Sequence, residues 1–147
     1  MMAAHPQTLY GLADSPVALA AWMIDHDVAS YGHIAKLFLD GEPYGDLTRD
    51  DILDNITLSW LTNTGVSSAR LYAEYKGGFF NDINISVPVA VSVFPEEAYQ
   101  PPRSWTESAY PNLIHFNEVA KGGHFAAWEQ PRLFSEEVRA GFRSLRE

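Results

Sequence analysis

Apolar residues recur at helical spacing from about residue 14 to residue 75, and from residue 87 onward they gather into short runs that suit strands. Residues 1–13 carry no such period and read as irregular. Asp14-Ser15-Pro16 is a helix start, a capping residue followed by proline at the first helical position. Val17, Leu19, Ala20, Ala21, Trp22 and Ile24 then lie nearly all round the helix, which predicts burial on more than one side and an end near Asp27. A second, short helix is predicted from about Tyr31 to Leu39, with Ile34, Leu37 and Phe38 on one face. Residues 40–45 read as a loop. Thr48 caps a third helix, with Asp50 and Asp51 in the first turn where the helix dipole favours acids. Ile52, Leu53, Ile56 and Trp60, flanked by Leu58 and Leu61, supply its apolar stripe. Asn63-Thr64-Gly65 interrupts the pattern, a fourth helix runs from Ser67 to about Tyr75, and Gly77-Gly78 closes the helical half.

The second half differs. Val87-Pro88-Val89-Ala90-Val91-Ser92-Val93-Phe94 is a compact β-branched run, as expected of a buried parallel strand, and proline near its start fits a strand beginning. Pro95 stops it, and Glu96-Glu97 stand just past its end. A helix follows around Ser104 to Ala109, residues 113–119 alternate like a strand, and an amphipathic helix runs from about Pro131 to Leu145. Strand–helix–strand–helix is an α/β pattern. Two strands are too few for a doubly wound sheet, so the chain reads as the back part of something larger. Its first strand has an edge that wants a partner, and the chain alone is expected to be marginally stable or to aggregate.

At 147 residues the chain has the size of one domain. A formal net charge of −9, with only 10 Lys and Arg and no basic run, argues against nucleic acid as a partner. The lack of cysteine excludes disulfides, thiolate metal sites and cysteine nucleophiles, and fits a reducing, cytoplasmic compartment. No segment reaches the ~18 apolar residues of a membrane span, and residues 1–6 lack the order of a signal peptide. Four Trp, seven Tyr and eight Phe suit either a core or an apolar pocket with a few polar tips.

Candidate chemistry concentrates at Lys121-Gly122-Gly123-His124-Phe125-Ala126-Ala127-Trp128-Glu129-Gln130-Pro131. His124 lies on a loop between the second strand and the next helix, and loops at the carboxyl ends of strands are where open α/β sheets place ligands. An incidental histidine on a surface loop is the other reading. Glu96 and Glu97 follow the first strand as His124 follows the second. Adjacent strand ends would bring a carboxylate to the imidazole, two-thirds of a hydrolytic triad. Spacing does not choose between the tandem acids, and a solvated acidic turn would look the same. The pattern lacks a nucleophile. In α/β-hydrolases it sits on a Gly-x-nucleophile-x-Gly elbow ahead of the acid and the histidine. The glycine pair with that spacing, Gly41 and Gly45, encloses Pro43. No phosphate loop, dinucleotide fingerprint or His-Glu-x-x-His motif occurs. His5, His26, His33 and His115 show no ligand spacing, so neither a metal nor a cofactor is expected.

Asp14-Ser15-Pro16-Val17-Ala18-Leu19-Ala20-Ala21-Trp22, Asn55-Ile56-Thr57-Leu58, Ser67-Ser68-Ala69-Arg70-Leu71-Tyr72, Phe94-Pro95-Glu96-Glu97 and Gly122-Gly123-His124-Phe125-Ala126-Ala127-Trp128-Glu129 together resemble the microsomal-type epoxide hydrolases of the α/β-hydrolase superfamily, the bacterial members above all. The resemblance covers nearly the whole chain in the family's order. Its specific part is the Gly-Gly-His-Phe-Ala-Ala block together with the Phe-Pro-x-Glu block. It implies the C-terminal part of an α/β-hydrolase fold, with residues 1–78 as helical lid and 79–147 as the last two strand–helix units of the core. It also implies roles: His124 as the base that activates water, Glu97 as the charge-relay acid (Glu96 falls where the family varies), and Tyr72 as one of two lid tyrosines that donate to the epoxide oxygen. The family's long N-terminal part carries most of the sheet, a His-Gly-x-Pro oxyanion loop and the aspartate nucleophile, and these have no counterpart here. The second lid tyrosine should fall just before His5, and Tyr10 does not match it. The chain thus resembles the C-terminal portion of such an enzyme, as from a truncated or split reading frame.

The reaction implied is two-step, through an aspartyl ester of a small apolar epoxide that water then hydrolyses to a diol. It needs no cofactor and no metal; a second copy of the chain stays open as a partner. An esterase or haloalkane dehalogenase on the same scaffold, or a non-catalytic remnant, are the alternatives. Only epoxide opening asks for a lid phenol, so Tyr72 discriminates. Trp22, Trp60, Trp105 and Trp128 are candidates for pocket lining or for core. Members of a triad act as a unit, so without an elbow aspartate the rate should fall by about 10⁴–10⁶-fold, by analogy with serine hydrolases. The 147-residue chain by itself is therefore expected to form no measurable diol from a styrene-oxide-type substrate. Robust turnover that disappears in His124→Ala would overturn this.

Overall fold

The computed structural model describes residues 9–75, 77 and 85–146. The stretch expected to be irregular as far as residue 8, with His5, lies outside the described residues, as does Gly78. The helices are α1 (Gly11–Asp14), α2 (Pro16–Ile24), α3 (Val28–Leu39), α4 (Arg49–Leu61), α5 (Gly65–Glu74), α6 (Arg103–Ala109), α7 (Ala126–Glu129) and α8 (Pro131–Gly141); the strands are β1 (Val89–Val93) and β2 (Leu113–Glu118). The chain divides into two compact units, Met1–Pro43 with Leu47–Phe79, and Tyr44–Asp46 with Phe80–Glu147. No helix among the described residues is long and apolar enough to cross a membrane.

The first unit is helical. Ser15 caps α2, its side chain accepting from the Ala18 amide at 3.3 Å. Asp14 instead ends α1, a single helical turn where irregular chain was expected, and Leu12 buries beneath it. α2 stops at Ile24 rather than near Asp27, because Asp25 leaves the helical backbone at φ −84°, ψ 57°. Asp27 begins the next helix: its carboxylate accepts from the Ser30 amide at 2.9 Å, so α3 starts at Val28 and not at Tyr31. Burial opposes the Asp27 charge, but hydrogen bonds from Ser30, His26 and Ala29 outweigh it and bring the carboxyl down to about 2. α4 opens with a full capping box, Thr48 N–H donating to Asp51 at 2.9 Å and Asp51 N–H donating to the Thr48 hydroxyl at 3.2 Å. It ends where Asn63 turns left-handed at φ 52°. α5 begins at Gly65, ahead of the expected Ser67. A Cβ there would fall 2.8 Å from Leu19 Cδ1, so the glycine lets α5 start directly against α2.

Leu9, Leu12, Leu19 and Ala69 form the core of this unit, with Trp22, Met23, Trp60 and Val66 packed against it. The expectation that α2 is buried on more than one side fails. Leu19 is 1% exposed, but Val17 is 75% exposed and Ala21 also faces out. α1, α3, α4 and α5 are its neighbours, and they leave Val17 and Ala21 uncovered. Leu58 and Leu61 of α4 are exposed in the same way, whereas Ile52 and Ile56 are buried.

The second unit is built on a parallel pair. β1 and β2 register Ala90 with His115, Val91 with Phe116, Ser92 with Asn117 and Val93 with Glu118, with an irregularity between Val89 and Ala90. Parallel neighbours need a crossover, and α6 supplies it. Side chains alternate across the strands. Ala90, Ser92, His115 and Asn117 share the face under α8, so close that a Cβ on Gly141 would lie 2.7 Å from Ala90 Cβ. Phe116 points the other way, where Arg103 of α6 sits 5.6 Å over its ring. Glu137 of α8 ties its face down, accepting from the Ser92 hydroxyl at 2.7 Å and Asn117 at 2.9 Å, with His115 Nε2 at 3.3 Å. Burial alone would raise the Glu137 carboxyl, yet these hydrogen bonds hold it below the usual glutamate range. β1 was expected to be buried, but Val93 alone in it is; the other four residues are half-covered, in a sheet of two strands among the described residues. The final helix ends at Gly141, and a short 3-10 turn over Arg143–Leu145 completes the span predicted as one helix.

Asp27 makes the cap of α3 testable. Its folded value lies below the ~3.9 of a free aspartate, so its stabilisation is complete above that pH and is lost as the pH falls toward about 2. Asp27→Ala should lower stability by about 1–2 kcal/mol at neutral pH. The gap between variant and wild type should close on acidification over that window. A gap that persists at pH 2 would show that the cap is not the source.

Candidate active site

Two loops leave the same edge of the β1–β2 pair. After β1, the Glu97 amide donates back to the Phe94 carbonyl at 3.3 Å, and Gln100 closes the turn from outside, its side-chain amide donating to the Pro95 carbonyl at 2.6 Å. After β2, the Val119 amide donates to Val93 at 2.8 Å and carries the ladder one step past the strands. The loops then meet directly, the Glu96 amide donating to the Gly122 carbonyl at 3.2 Å.

The two glycines before His124 serve different needs. Gly122 sits at φ +107°, a conformation that a residue with a Cβ rarely adopts, and a Cβ there would come 2.9 Å from the Phe94 ring. Gly123 has ordinary backbone but no room: a Cβ would lie 3.2 Å from Glu96 Cβ and 3.5 Å from both carboxylate oxygens of Glu129. The backbone beyond is held by Glu129, which accepts from the Gly123 amide at 2.8 Å and the Phe125 amide at 2.9 Å.

Between the glycines and α7, His124 turns its Nδ1 toward Glu97, 2.9 Å from Oε2 and 3.2 Å from Oε1. Glu97 Oε1 also accepts from the Ala98 amide at 2.9 Å, which fixes the plane of the carboxylate. The structure thus brings Glu97 to the histidine, while Glu96, its tandem neighbour, packs its Cβ beside Gly123. A carboxylate on Nδ1 selects the tautomer with its proton on that nitrogen, and Nε2 is then the atom that would accept a proton from water. The two side chains are 37% and 32% exposed, so water reaches both.

Beside the pair opens a cavity of about 310 Å³, lined by Phe94, Phe125, Trp128 and Phe134 with Glu97 and His124. The His124 and Phe125 rings meet edge to face at 4.9 Å, and Trp128 stands against Phe125 at 6.4 Å. Of the four tryptophans, Trp128 is the one in this wall. Trp105 is exposed on α6, and Trp22 and Trp60 pack on the core of the first unit. Tyr72, the third expected site residue, belongs to that first unit: it lies on α5, is 50% exposed, and meets the Trp22 ring edge-on at 6.0 Å. Glu129 went unread in the sequence as a contributor to this site. An acid five positions after a histidine and just before Gln130-Pro131 looks like an ordinary helix-start residue, and only its burial at 1% exposure distinguishes it.

A parallel strand–helix–strand edge with an acid on one loop and a histidine on the next is the arrangement of the α/β-hydrolases. No protein-family model matches the chain. It is 46% identical over 143 residues to a Stigmatella aurantiaca protein that bears the provisional name of epoxide hydrolase, covering 97% of this chain and 31% of that relative. Over 133 residues it is 35% identical to epoxide hydrolase 1 of Sus scrofa, covering 87% of this chain and 29% of the relative. It superposes on the crystal structure of juvenile hormone epoxide hydrolase from Bombyx mori with a TM-score of 0.74 at 29% identity, over 99% of this chain and 39% of that one. With Aspergillus niger epoxide hydrolase the TM-score is 0.73 at 30% identity, over 98% and 34%. The chain is thus a homologue of the epoxide hydrolases of the α/β-hydrolase superfamily. It spans about a third of the length of the curated relatives it matches.

Gly122→Ala should destabilise the histidine loop by about 1–3 kcal/mol, since the added Cβ meets both a forbidden φ and the Phe94 ring. The measurement is the unfolding midpoint, with hydrogen exchange at the Glu96 amide as the local readout. An unchanged midpoint and unchanged exchange would show that the loop does not need this conformation.

Proposed function

We propose that the chain carries the water-activating half of an epoxide hydrolase: His124 as general base, Glu97 as the acid that orients it, and Tyr72 as a phenol donating to the epoxide oxygen. The observation that carries this is the 2.9 Å contact from Glu97 to His124 Nδ1, made by loops that follow adjacent parallel strands. In the proposed reaction an aspartate carboxylate attacks an epoxide carbon, the carbon–oxygen bond breaks, and the departing alkoxide takes the phenol proton of Tyr72. Water then adds to the ester carbonyl while passing a proton to His124 Nε2. Collapse breaks the ester bond, and the leaving diol oxygen takes the proton of the new carboxyl group. The imidazolium proton returns through solvent to the Tyr72 phenolate, so that the diol leaves and aspartate, His124 and Tyr72 are restored. Glu97 stays ionised throughout and stabilises the imidazolium formed in the second step.

In this proposal the nucleophile comes from sequence that the relatives have and this chain does not span. Residues 1–78 act as lid and 79–147 as the closing strand–helix units of the core. The substrate is a small apolar epoxide, matched to the aromatic wall of Phe94, Phe125, Trp128 and Phe134. A bacterial source and a cytoplasmic setting, the latter read from the cysteine-free sequence, belong to the same proposal. An esterase or dehalogenase would use the same histidine and acid but has no task for a lid phenol, so Tyr72 favours the epoxide.

The test is to combine the chain with the remaining portion of the Stigmatella aurantiaca relative and to assay diol formation from styrene oxide. His124→Ala should lower kcat by about 10⁶-fold and Glu97→Gln by about 10⁴-fold, by analogy with loss of the base and of its orienting acid in serine hydrolases. Tyr72→Phe should slow formation of the ester but not its hydrolysis. Turnover that survives His124→Ala would overturn the assignment of the base, and a Tyr72→Phe enzyme with unchanged ester formation would remove the preference for epoxides.

A further inference from the structure

We propose that Glu129 is a positioning residue for His124: its buried carboxylate clamps the backbone on both sides of the histidine and so holds the imidazole against Glu97. This rests on the reading of His124 as the base, and it concerns a residue that touches neither the ring nor the proposed substrate.

The observations are unusual for a glutamate. Glu129 is 1% exposed, and a carboxylate so buried is costly unless it is fully hydrogen-bonded or paired with a cation. Among the ion pairs of the described residues none includes Glu129. Its partners are two backbone amides, those of Gly123 at 2.8 Å and Phe125 at 2.9 Å, one to each oxygen. These amides belong to the residues on either side of His124: the Phe125 N–H lies in the peptide that follows the histidine, and the Gly123 N–H in the peptide between the two glycines. The peptide between them, Gly123–His124, is held by the Ala126 amide, which donates to the Gly123 carbonyl at 3.2 Å. Glu129 thus confines the segment from Gly123 to Phe125 at both ends, and with it the direction in which the His124 Cβ leaves the chain. Glu97 then has to set only the rotation of the ring.

Glu129 is itself held in place. Its carbonyl accepts from the Asp46 amide at 2.8 Å, and a Cβ on Gly45 would come within 2.1 Å of that oxygen, so the tripeptide Tyr44–Asp46 closes on it backbone to backbone. Its own amide donates to the Phe125 carbonyl at 2.9 Å, closing the turn on itself. Hydrogen bonds to a charged acceptor are roughly twice as strong as neutral ones. A loop excursion that broke either amide contact would also leave the charge unsatisfied in a dry site, so the loop has little alternative to this conformation. The precision is useful, because a displacement of about 1 Å at a catalytic group can cost 10²-fold in rate.

Glu129→Gln tests this. Glutamine keeps the shape but offers one acceptor oxygen, and its NH₂ faces the other amide. In the ¹⁵N-labelled 147-residue chain, one of the Gly123 and Phe125 amides should lose at least ~10-fold in protection from exchange. The His124 ring should pass from a single Nδ1–H tautomer to a mixture. Glu96→Gln, on the neighbouring loop, should change neither. A variant with a lower melting point but the wild-type tautomer would make Glu129 a stabilising residue only and overturn the proposal. If Glu129→Gln does not fold, Glu129→Asp decides: it keeps the charge with shorter reach, and a folded variant with an unchanged ring again overturns it. In the combined enzyme, Glu129→Gln should lower kcat with KM unchanged. A ring that responds to Glu129 while His124→Ala leaves turnover intact would instead defeat the base assignment and leave the positioning role standing.

Discussion

Residues 27 apart in sequence meet at the candidate site because two short strands run parallel. Antiparallel pairing would put the ends of β1 and β2 at opposite edges, and Glu97 could not reach His124. The parallel arrangement requires the α6 crossover, after which whatever follows each strand emerges on the same side. Backbone contacts continue this pairing beyond the strands, from Val119 to Val93 and from Glu96 to Gly122. The contact is therefore a consequence of the fold and contributes little to it. With side chains 32% and 37% exposed, Glu97 and His124 form the kind of contact that water and salt largely screen.

Two carboxylates, Glu129 buried and Glu137 partly buried, hold the structure nearby, each by answering donors that would otherwise be left unsatisfied. Glu137 gathers Ser92, Asn117 and His115 and fastens α8 to a sheet face that is polar where a parallel sheet is ordinarily apolar. Glu129 gathers two amides of the histidine loop. Neither is an ion pair between exposed side chains of the kind formed by Arg70 with Glu74 or Arg132 with Glu136 along single helices. Removing Glu129 would strand an amide away from water, which costs more than losing an exposed pair.

Local signals were legible wherever one residue decides a backbone. Ser15-Pro16 and Thr48 mark helix starts because a side-chain oxygen and a missing N–H act within one turn. Asp27 has the same chemistry and was passed over, which cost α3 its first turn. The order of strands and helices in the second half was legible from run length and alternation. Burial was harder to read. Val17 and Leu19 are equally apolar in the sequence, and only the positions of α1, α3, α4 and α5 separate the 75% exposed residue from the 1% exposed one. At the site, spacing pointed to the loops but left Glu96 and Glu97 equivalent; the resemblance chose Glu97, and the 2.9 Å contact agrees in geometry. Glu129 was invisible because its partners are backbone amides, which carry no residue-type signature.

The Glu97–His124 pair is ordered but wet, and that bears on how such a pair works. In water an imidazolium gains little from a carboxylate at this distance, about 1 kcal/mol, and several times more once the surroundings are apolar. Phe94, Phe125, Trp128 and Phe134 supply apolar surface beside the pair but do not close over it. On the proposed reading, the sequence that supplies the aspartate must also stand beside the pair, and the apolar body of the substrate adds to the enclosure. Once seated against those rings it displaces water from the same side that admits it, and strengthens the pull of Glu97 on the imidazolium when the ester is ready to hydrolyse. A polar substrate of the same size would carry its own hydration into the cleft and leave the pair screened. On that proposal, a preference for an apolar epoxide would have an electrostatic reason in the second step beside the fit of the first.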